Sequence, residues 1–418
     1  MKRKILSILL ISSMLFSLAA CKDNSAGNVE EVAYDAKAEA AKYDLPEIPE
    51  ADKDLKVQMG YNDCDHMVAA IIGEEAGIYK ALGLNVTVTK TSNTNIAQAM
   101  TTGEMNVGYM GIGGAGALNA RSEGAPIIMA AANHIGGSRY LVVANDIKDP
   151  KDLVGKKIAI TQDPENNPEW IKWATKLGLP VGKENYEIIK MAQKDCPMAL
   201  KSGQISAFSC CDPFASQCEY QGIGKVVAVG WGGVIDETKE EHDHEHGWGM
   251  CCIYAMNENF KNEHPEVAQR LLVAHALSLK YLYDHPYNAA MMFADGFGTT
   301  PEVGLMTIYM KTIAEGRTLT WEFTQENIDN FLKEFDECNI DEKFRPRTDK
   351  LDEFVNLNYI KECGIESFSD FTKEDKLDEK FPIGISFEDW LKKAKEIDGI
   401  DNEVGNDIKI PEVYKNKK

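Results

Sequence analysis

The chain predicts an α/β fold of mostly parallel sheets with flanking helices, followed by a helical C-terminal extension. Three observations carry that expectation. Short apolar or alternating runs recur between helix-patterned stretches as far as "MCCIYAMN"; a second series of the same kind restarts at "DLVGKKIAI"; and from Glu263 onward the text is mainly helical. Strands that alternate with helices imply βαβ units and hence a largely parallel sheet.

The elements follow in order. Leu55 to Tyr61 alternates with period two and reads as a strand. "HMVAAIIGEEAGIYKALGL" has helical apolar spacing and is expected to be one helix closed by Gly83. The strand "NVTVTKT", a polar turn at Ser92 to Asn95, the helix "IAQAMTTGE" and the strands "NVGYMG" and "RYLVVAND" come next. The second series runs through "DLVGKKIAI", "PEWIKWATKLGL", "ENYEIIKM", "PMALKSGQ", "ISAFSCC" and "GKVVAVGWG", and "MCCIYAMN" reads as a strand returning to the first unit. "HPEVAQRLLVAHALSLKYLYDHP" and "TQENIDNFLKEFDE" are helical, and the text from about Asp349 is acidic with scattered helices. No internal repeat of useful period is present.

The N-terminus bears on compartment. Lys2, Arg3 and Lys4 precede an apolar run from Ile5 to Leu18, which ends in Leu18-Ala19-Ala20-Cys21. A basic start, a short apolar core and small residues at the cleavage point are those of a secretory signal, and the run is short for a membrane span. Residues 1–20 are therefore expected to be a signal peptide and 21–53, rich in Lys, Asp, Glu and Ala, a tether. The cysteine at the end of the signal resembles the lipobox of bacterial lipoproteins, which implies lipidation of Cys21 and an extracytoplasmic protein anchored to the membrane; the alternative is an ordinary signal with a chance cysteine.

Composition excludes some partners. The formal net charge is −21, opposite to the basic footprint that nucleic acid requires. Ten cysteines are present, and setting Cys21 aside leaves an odd number, which cannot all pair within one chain. The vicinal doublets Cys210-Cys211 and Cys251-Cys252 fit a disulfide framework poorly.

Several ordered passages resemble one family. "GEEAGIYKALGLNVTV", "AQAMTTGEMNVGYMGIGGAGALNARSEGAPIIMAA", "DLVGKKIAI" and "MALKSGQISAFSCCDPFASQCEYQGIGKVVA" are similar, in that order, to the binding proteins of ABC importers for nitrate, sulfonates, bicarbonate and thiamine pyrimidine precursors. The resemblance implies the two-lobed type II periplasmic-binding-protein fold. Lobe 1 is expected at 54–143 and 252–348, lobe 2 at 144–251 and an acidic helical extension at 349–418. It implies a small cargo in the cleft between the lobes, permease and ATPase partners, a monomer, and no catalysis or catalytic cofactor.

Within that frame the cysteines fall near the cleft. Cys64 and His66 follow the first strand, Cys196 starts a helix, Cys210 and Cys211 end a strand, and Cys251 and Cys252 open the returning strand. His134 ends another strand. Thiolates select soft metals and metal–sulfur clusters, and a helix start lowers a thiol's pKa. These residues are accordingly candidate ligands for a transition-metal ion or an iron–sulfur cluster carried as cargo. Alternation along a strand puts one cysteine of each doublet toward the cargo and the other toward the core. The plain alternative is packing, since free cysteine is often a buried small hydrophobe; Cys338 and Cys363 read as core or a local disulfide, and Cys218 as packed. His242, His244 and His246 alternate with acids just before Cys251 and suggest an auxiliary metal-collecting loop. Asn93, Thr94 and Asn95 and the turn glycines Gly113 and Gly114 are candidate ligand-binding groups at strand ends.

Three functions compete: capture of a thiophilic cargo; capture of a small sulfonate- or nitrate-like anion or aminopyrimidine with structural cysteines; and a fold-sharing thiamine-pyrimidine synthase with a cysteine-rich segment resembling "SCC". Export argues against the last.

Overall fold

Runs rich in β-branched, aromatic and small apolar residues build ten strands among the described residues: β1 (Lys56–Tyr61), β2 (Asn85–Lys90), β3 (Val107–Gly111), β4 (Ile127–Ile135), β5 (Arg139–Ala144), β6 (Lys157–Ala159), β7 (Glu187–Ile189), β8 (Ala207–Cys210), β9 (Gly224–Gly230) and β10 (Met250–Asn257). The computed structural model describes residues 34–113, 116–136, 139–230 and 247–411. The strands form two sheets, ordered β2-β1-β3-β10-β4 and β7-β6-β8-β5-β9. In each sheet one strand runs against the rest, and it is the strand that has just crossed over. β10 is antiparallel to β3 and β4, and β5 is antiparallel to β8 and β9. Sheets of mixed direction, flanked by helices and joined by two crossing strands, are the result. β5 belongs to the second sheet from Arg139 onward, so the first crossover precedes that residue rather than residue 144.

The first helical stretch is broken where one helix was expected. Val68–Glu75 and Ile78–Ala81 are separate helices, because Gly77 sits between them at φ 72°, a left-handed conformation that ends a helix. The helix Pro265–Asp284 is buried on most of its circumference, as a helix apolar all round must be.

Both ends of the described chain dock on the first lobe. Residues expected in the tether pack instead: the Tyr34 ring meets Tyr281 edge-on at 4.7 Å, Arg270 Nη2 donates to the Pro46 carbonyl at 2.6 Å, and His264 pairs with Asp52 at 2.9 Å. The C-terminal helices bring Phe368 and Phe371 onto Trp321 at 5.2 and 5.5 Å, and Phe387 and Trp390 onto Tyr309 at 5.3 and 5.4 Å. No helix among the described residues is long and apolar enough to cross a membrane. Residues 1–20, expected to be a signal peptide, and Cys21, Gly114, His242, His244 and His246 lie outside the described residues.

Candidate functional site

The end of β1 and the start of β10 lie in one sheet, and the end of β8 in the other, so the fold can bring their thiols together. Cys251 and Cys252 project toward His66: the Cys251 and Cys252 Sγ atoms are 3.3 Å apart, and they lie 3.6 and 3.4 Å from His66 Nδ1. Alternation predicts opposite directions for the two, but the β10–β4 pairing is irregular on both sides of Cys252. A bulge there re-aims one side chain. Cys64 neighbours the Cys211 thiol of the other lobe and donates to Asp65 Oδ1 at 3.4 Å. His66, Cys251 and Cys252 form one possible metal-holding group, and Cys64, Asp65 and His66 a second that shares the imidazole.

The remaining candidates are placed differently. Cys210 is buried in the core with Cys218, and Cys218 lies near Cys196. The Cys196 thiol faces its own Ala192 carbonyl at 3.5 Å. Cys210 and Cys196 thus pack while Cys211 faces the cleft, which is alternation in this doublet. The nine described cysteines are all free thiols, Cys338 and Cys363 included. His134 stacks on His66 with ring centroids 3.8 Å apart, but its Nε2 is bonded to Thr318 Oγ1 at 2.9 Å and its Nδ1 has no hydrogen-bond partner. Asn93, Thr94 and Asn95, expected at the cleft, are occupied at the start of the helix Asn93–Thr102: Asn93 Oδ1 accepts from the Gly111 amide at 3.4 Å, Asn95 Nδ2 donates to Thr91 at 3.0 Å, and Thr94 lines an outer groove. Bonds to β3 and to Thr91 hold the two asparagines, and Ser92 caps the helix. Gly113 does line the cleft.

Lowered thiol pKa values do not follow from the helix starts. Burial pushes Cys64 and Cys210 well up and Cys196 up to about 12, while the bond to Cys251, followed by burial, raises Cys252. Desolvation of the charged form outweighs the partial charge of a short helix. Cys64, Cys196, Cys210 and Cys252 therefore hold their protons until a ligand replaces them.

Behind His66 lies a buried charge network invisible to the motif reading. Lys311 Nζ is 3.4 Å from His66 Nε2, 2.9 Å from Asp65 Oδ2 and 2.8 Å from Glu315 Oε2. Tyr140, from the other lobe, donates to Glu315 Oε1 at 2.6 Å. Burial disfavours the Lys311 ammonium, but Asp65 and Glu315 outweigh it and raise its pKa. Burial, opposed by Lys311, pushes Asp65 up to about 7. A π-helical turn, Met310–Ala314, carries Lys311, and such turns are frequent at functional sites. A signal existed in "LMTIYMKTIAEG", where a lysine and a glutamate four apart interrupt an apolar helix.

Next to Cys251 the two lobes border an open chamber of about 280 Å³. Arg139 stands on its wall, bonded through Nε to Glu169 at 3.2 Å, through Nη2 to Ser209 at 3.1 Å and through Nη1 to Cys211 Sγ at 3.4 Å. Burial would lower the guanidinium pKa, but Glu169 and the neighbouring thiols raise it. One turn along the helix Pro168–Leu177 from Glu169, Lys172 of lobe 2 pairs with Glu334 at 2.5 Å.

Comparison with known proteins agrees with this architecture. The taurine-binding periplasmic protein of Escherichia coli (strain K12) is 25% identical over 179 residues, 43% of this chain; the chain spans about half (51%) of that relative. Among solved structures, a zinc-bound ligand-binding component of an ABC-type import system from Staphylococcus aureus superposes with a TM-score of 0.56 at 15% identity, covering 74% of this chain and 98% of that one. The periplasmic aliphatic sulphonate binding protein of Escherichia coli gives 0.54 at 14%, covering 73% and 98%. At these identities the superpositions show the fold alone, and that fold is the two-lobed periplasmic-binding-protein type. The sequence model of the NMT1-like family matches residues 50–294, more than half of the chain, and the chain belongs to that family.

Proposed function

We propose that this chain is the cargo-binding component of an ABC importer and that it captures a thiophilic metal in the cleft between its lobes. On this reading it is anchored outside the cytoplasm through Cys21, delivers to a permease and ATPase, and binds without catalysing a reaction. The family and the fold support the importer role. One observation carries the cargo: the triangle of Cys251 Sγ, Cys252 Sγ and His66 Nδ1, with edges of 3.3, 3.4 and 3.6 Å. A tetrahedral ion with bonds of about 2.3 Å to sulfur and 2.0–2.1 Å to nitrogen sets its donors about 3.5–3.8 Å apart, so small movements turn this face into a ligand set. Cys64 and Cys211 stand beside it as further donors for a cluster, and the His242–His246 run is an auxiliary collecting loop in the same scheme.

The test is anaerobic reconstitution of the full chain with zinc, cadmium or iron and sulfide, followed by metal analysis and absorption spectroscopy. Stoichiometric metal with a thiolate charge-transfer band is expected, lost in Cys251→Ser/Cys252→Ser while the circular dichroism is kept. Metal-free, colourless protein with reactive thiols after reconstitution would sink the reading. A second reading, capture of a sulfonate-like anion, is favoured by Arg139 on the chamber wall and by the taurine-binding relative. It requires the anion to displace Glu169 from that guanidinium, and taurine titration of metal-free protein decides it.

A further inference from the structure

The chamber beside Cys251 is far larger than a single ion needs. At about 30 Å³ per water, its 280 Å³ equals roughly nine waters, and it approaches the volume of small-molecule sites, about 300–1,000 Å³. Its charged lining is balanced. The Arg139–Glu169 pair and the Lys172–Glu334 pair put two cations and two carboxylates on the wall, with side chains between 11% and 31% exposed. A wall of that kind complements neither a bare dication nor a simple anion. It matches a small molecule that carries both charges, whose carboxylate meets a cation of one pair and whose ammonium meets a carboxylate.

Cys251 belongs both to this chamber and to the three-donor face, so a metal held on that face lies beside a space lined with both charges. We propose that the cargo is a metal bound through the side chain of a thiol- or imidazole-bearing amino acid. The metal exchanges onto Cys251, Cys252 and His66, while the free α-carboxylate and α-ammonium lie between the Lys172–Glu334 and Arg139–Glu169 pairs. As the two protein–sulfur bonds form, the two thiols release their protons to solvent. The metal leaves its waters, keeps its oxidation state and retains the bond to the amino-acid side chain as its fourth ligand.

This inference rests on the thiophilic reading above, and the experiment separates the two. The anaerobic full chain is titrated with cadmium alone, with cadmium plus L-cysteine, with cadmium plus cysteamine, which lacks the carboxylate, and with cadmium plus 3-mercaptopropionate, which lacks the ammonium. Affinities are compared at equal free cadmium. The expected result is binding at least tenfold tighter with L-cysteine than with cadmium alone or either analogue, with labelled L-cysteine retained one-to-one with the metal. Lys172→Gln/Glu334→Gln removes both members of one pair; it should erase that advantage and leave bare cadmium affinity unchanged. Equal affinity across the series, or an advantage shared by either analogue, overturns the inference and leaves the metal reading standing. No cadmium bound in any form overturns both. If the double variant does not fold, the wild-type ligand series alone decides.

Discussion

Cys210 and Cys211 are adjacent in sequence yet occupy different surroundings, and their substitution should separate metal from stability. Cys210 is wholly buried, and a serine hydroxyl there has no place to form its bonds, which costs about 1–3 kcal/mol. Cys210→Ser is expected to lower the urea midpoint and leave metal stoichiometry intact. Cys211→Ser removes the thiol that meets Cys64 and the Arg139 guanidinium, and should weaken cluster binding with a smaller loss of stability. Loss of metal from the Cys210 variant at unchanged stability would reverse these assignments. Residues of this kind were half legible in the sequence: the cysteines stood out by number and position, whereas Lys311, Glu315 and Arg139 read as ordinary charges. The apolar text around Lys311 and Glu315 was the one local mark of their burial, and Arg139 had none; burial is a property of what folds over a charge.

At the scale of elements, β10 and the helix Pro265–Asp284 set the geometry behind the site. β10 brings its doublet to His66 only because its pairing with β4 slips around Cys252, a departure that period-two reasoning cannot foresee. The helix is pinned to β4 and β3 by His275, whose ring nitrogens meet the Ala132 carbonyl at 2.7 Å and the Tyr109 hydroxyl at 3.1 Å. Burial lowers the His275 pKa from 6.5 to about 4. Below the unfolded value the unfolded chain takes up a proton that the folded chain refuses. The contribution of His275 to stability is therefore complete above about pH 6.5 and is lost as pH falls toward 4, on the order of 3 kcal/mol in all. His134, also lowered by burial, acts in the same direction. Urea melts of His275→Gln between pH 7 and 4 should show a shallower fall than wild type; parallel curves would exclude His275 as the cause.

For the whole molecule, the C-terminal helices complete the core of the first lobe. Trp390 is fully buried, and Arg317, itself buried, donates to the Phe381 carbonyl at 2.6 Å. Trp390→Ala should cost about 3–5 kcal/mol, read as a lowered urea midpoint with metal affinity kept in the folded fraction. A two-state melt unchanged by the substitution would show that the extension is not coupled to the lobe. The same scale holds the cleft together: the Asp65 amide donates to the Asp212 carbonyl across the lobes at 3.0 Å, and Thr307 reaches Asp212 Oδ2 at 3.2 Å.

By itself the sequence determined the alternation of strands and helices, the family, and which loops carry thiols, because periodicity, turn glycines and cysteine spacing are local and survive in a linear reading. Only the tertiary structure decided which thiols meet. Cys64, Cys251 and Cys252 come from one lobe and Cys211 from the other, while Cys196 and Cys210 withdraw into the core. It also decided that Cys64, Cys210 and Cys252 hold their protons and that a lysine stands behind His66. Distance between groups remote in sequence, and the loss of water around them, exist only once two sheets have closed on each other.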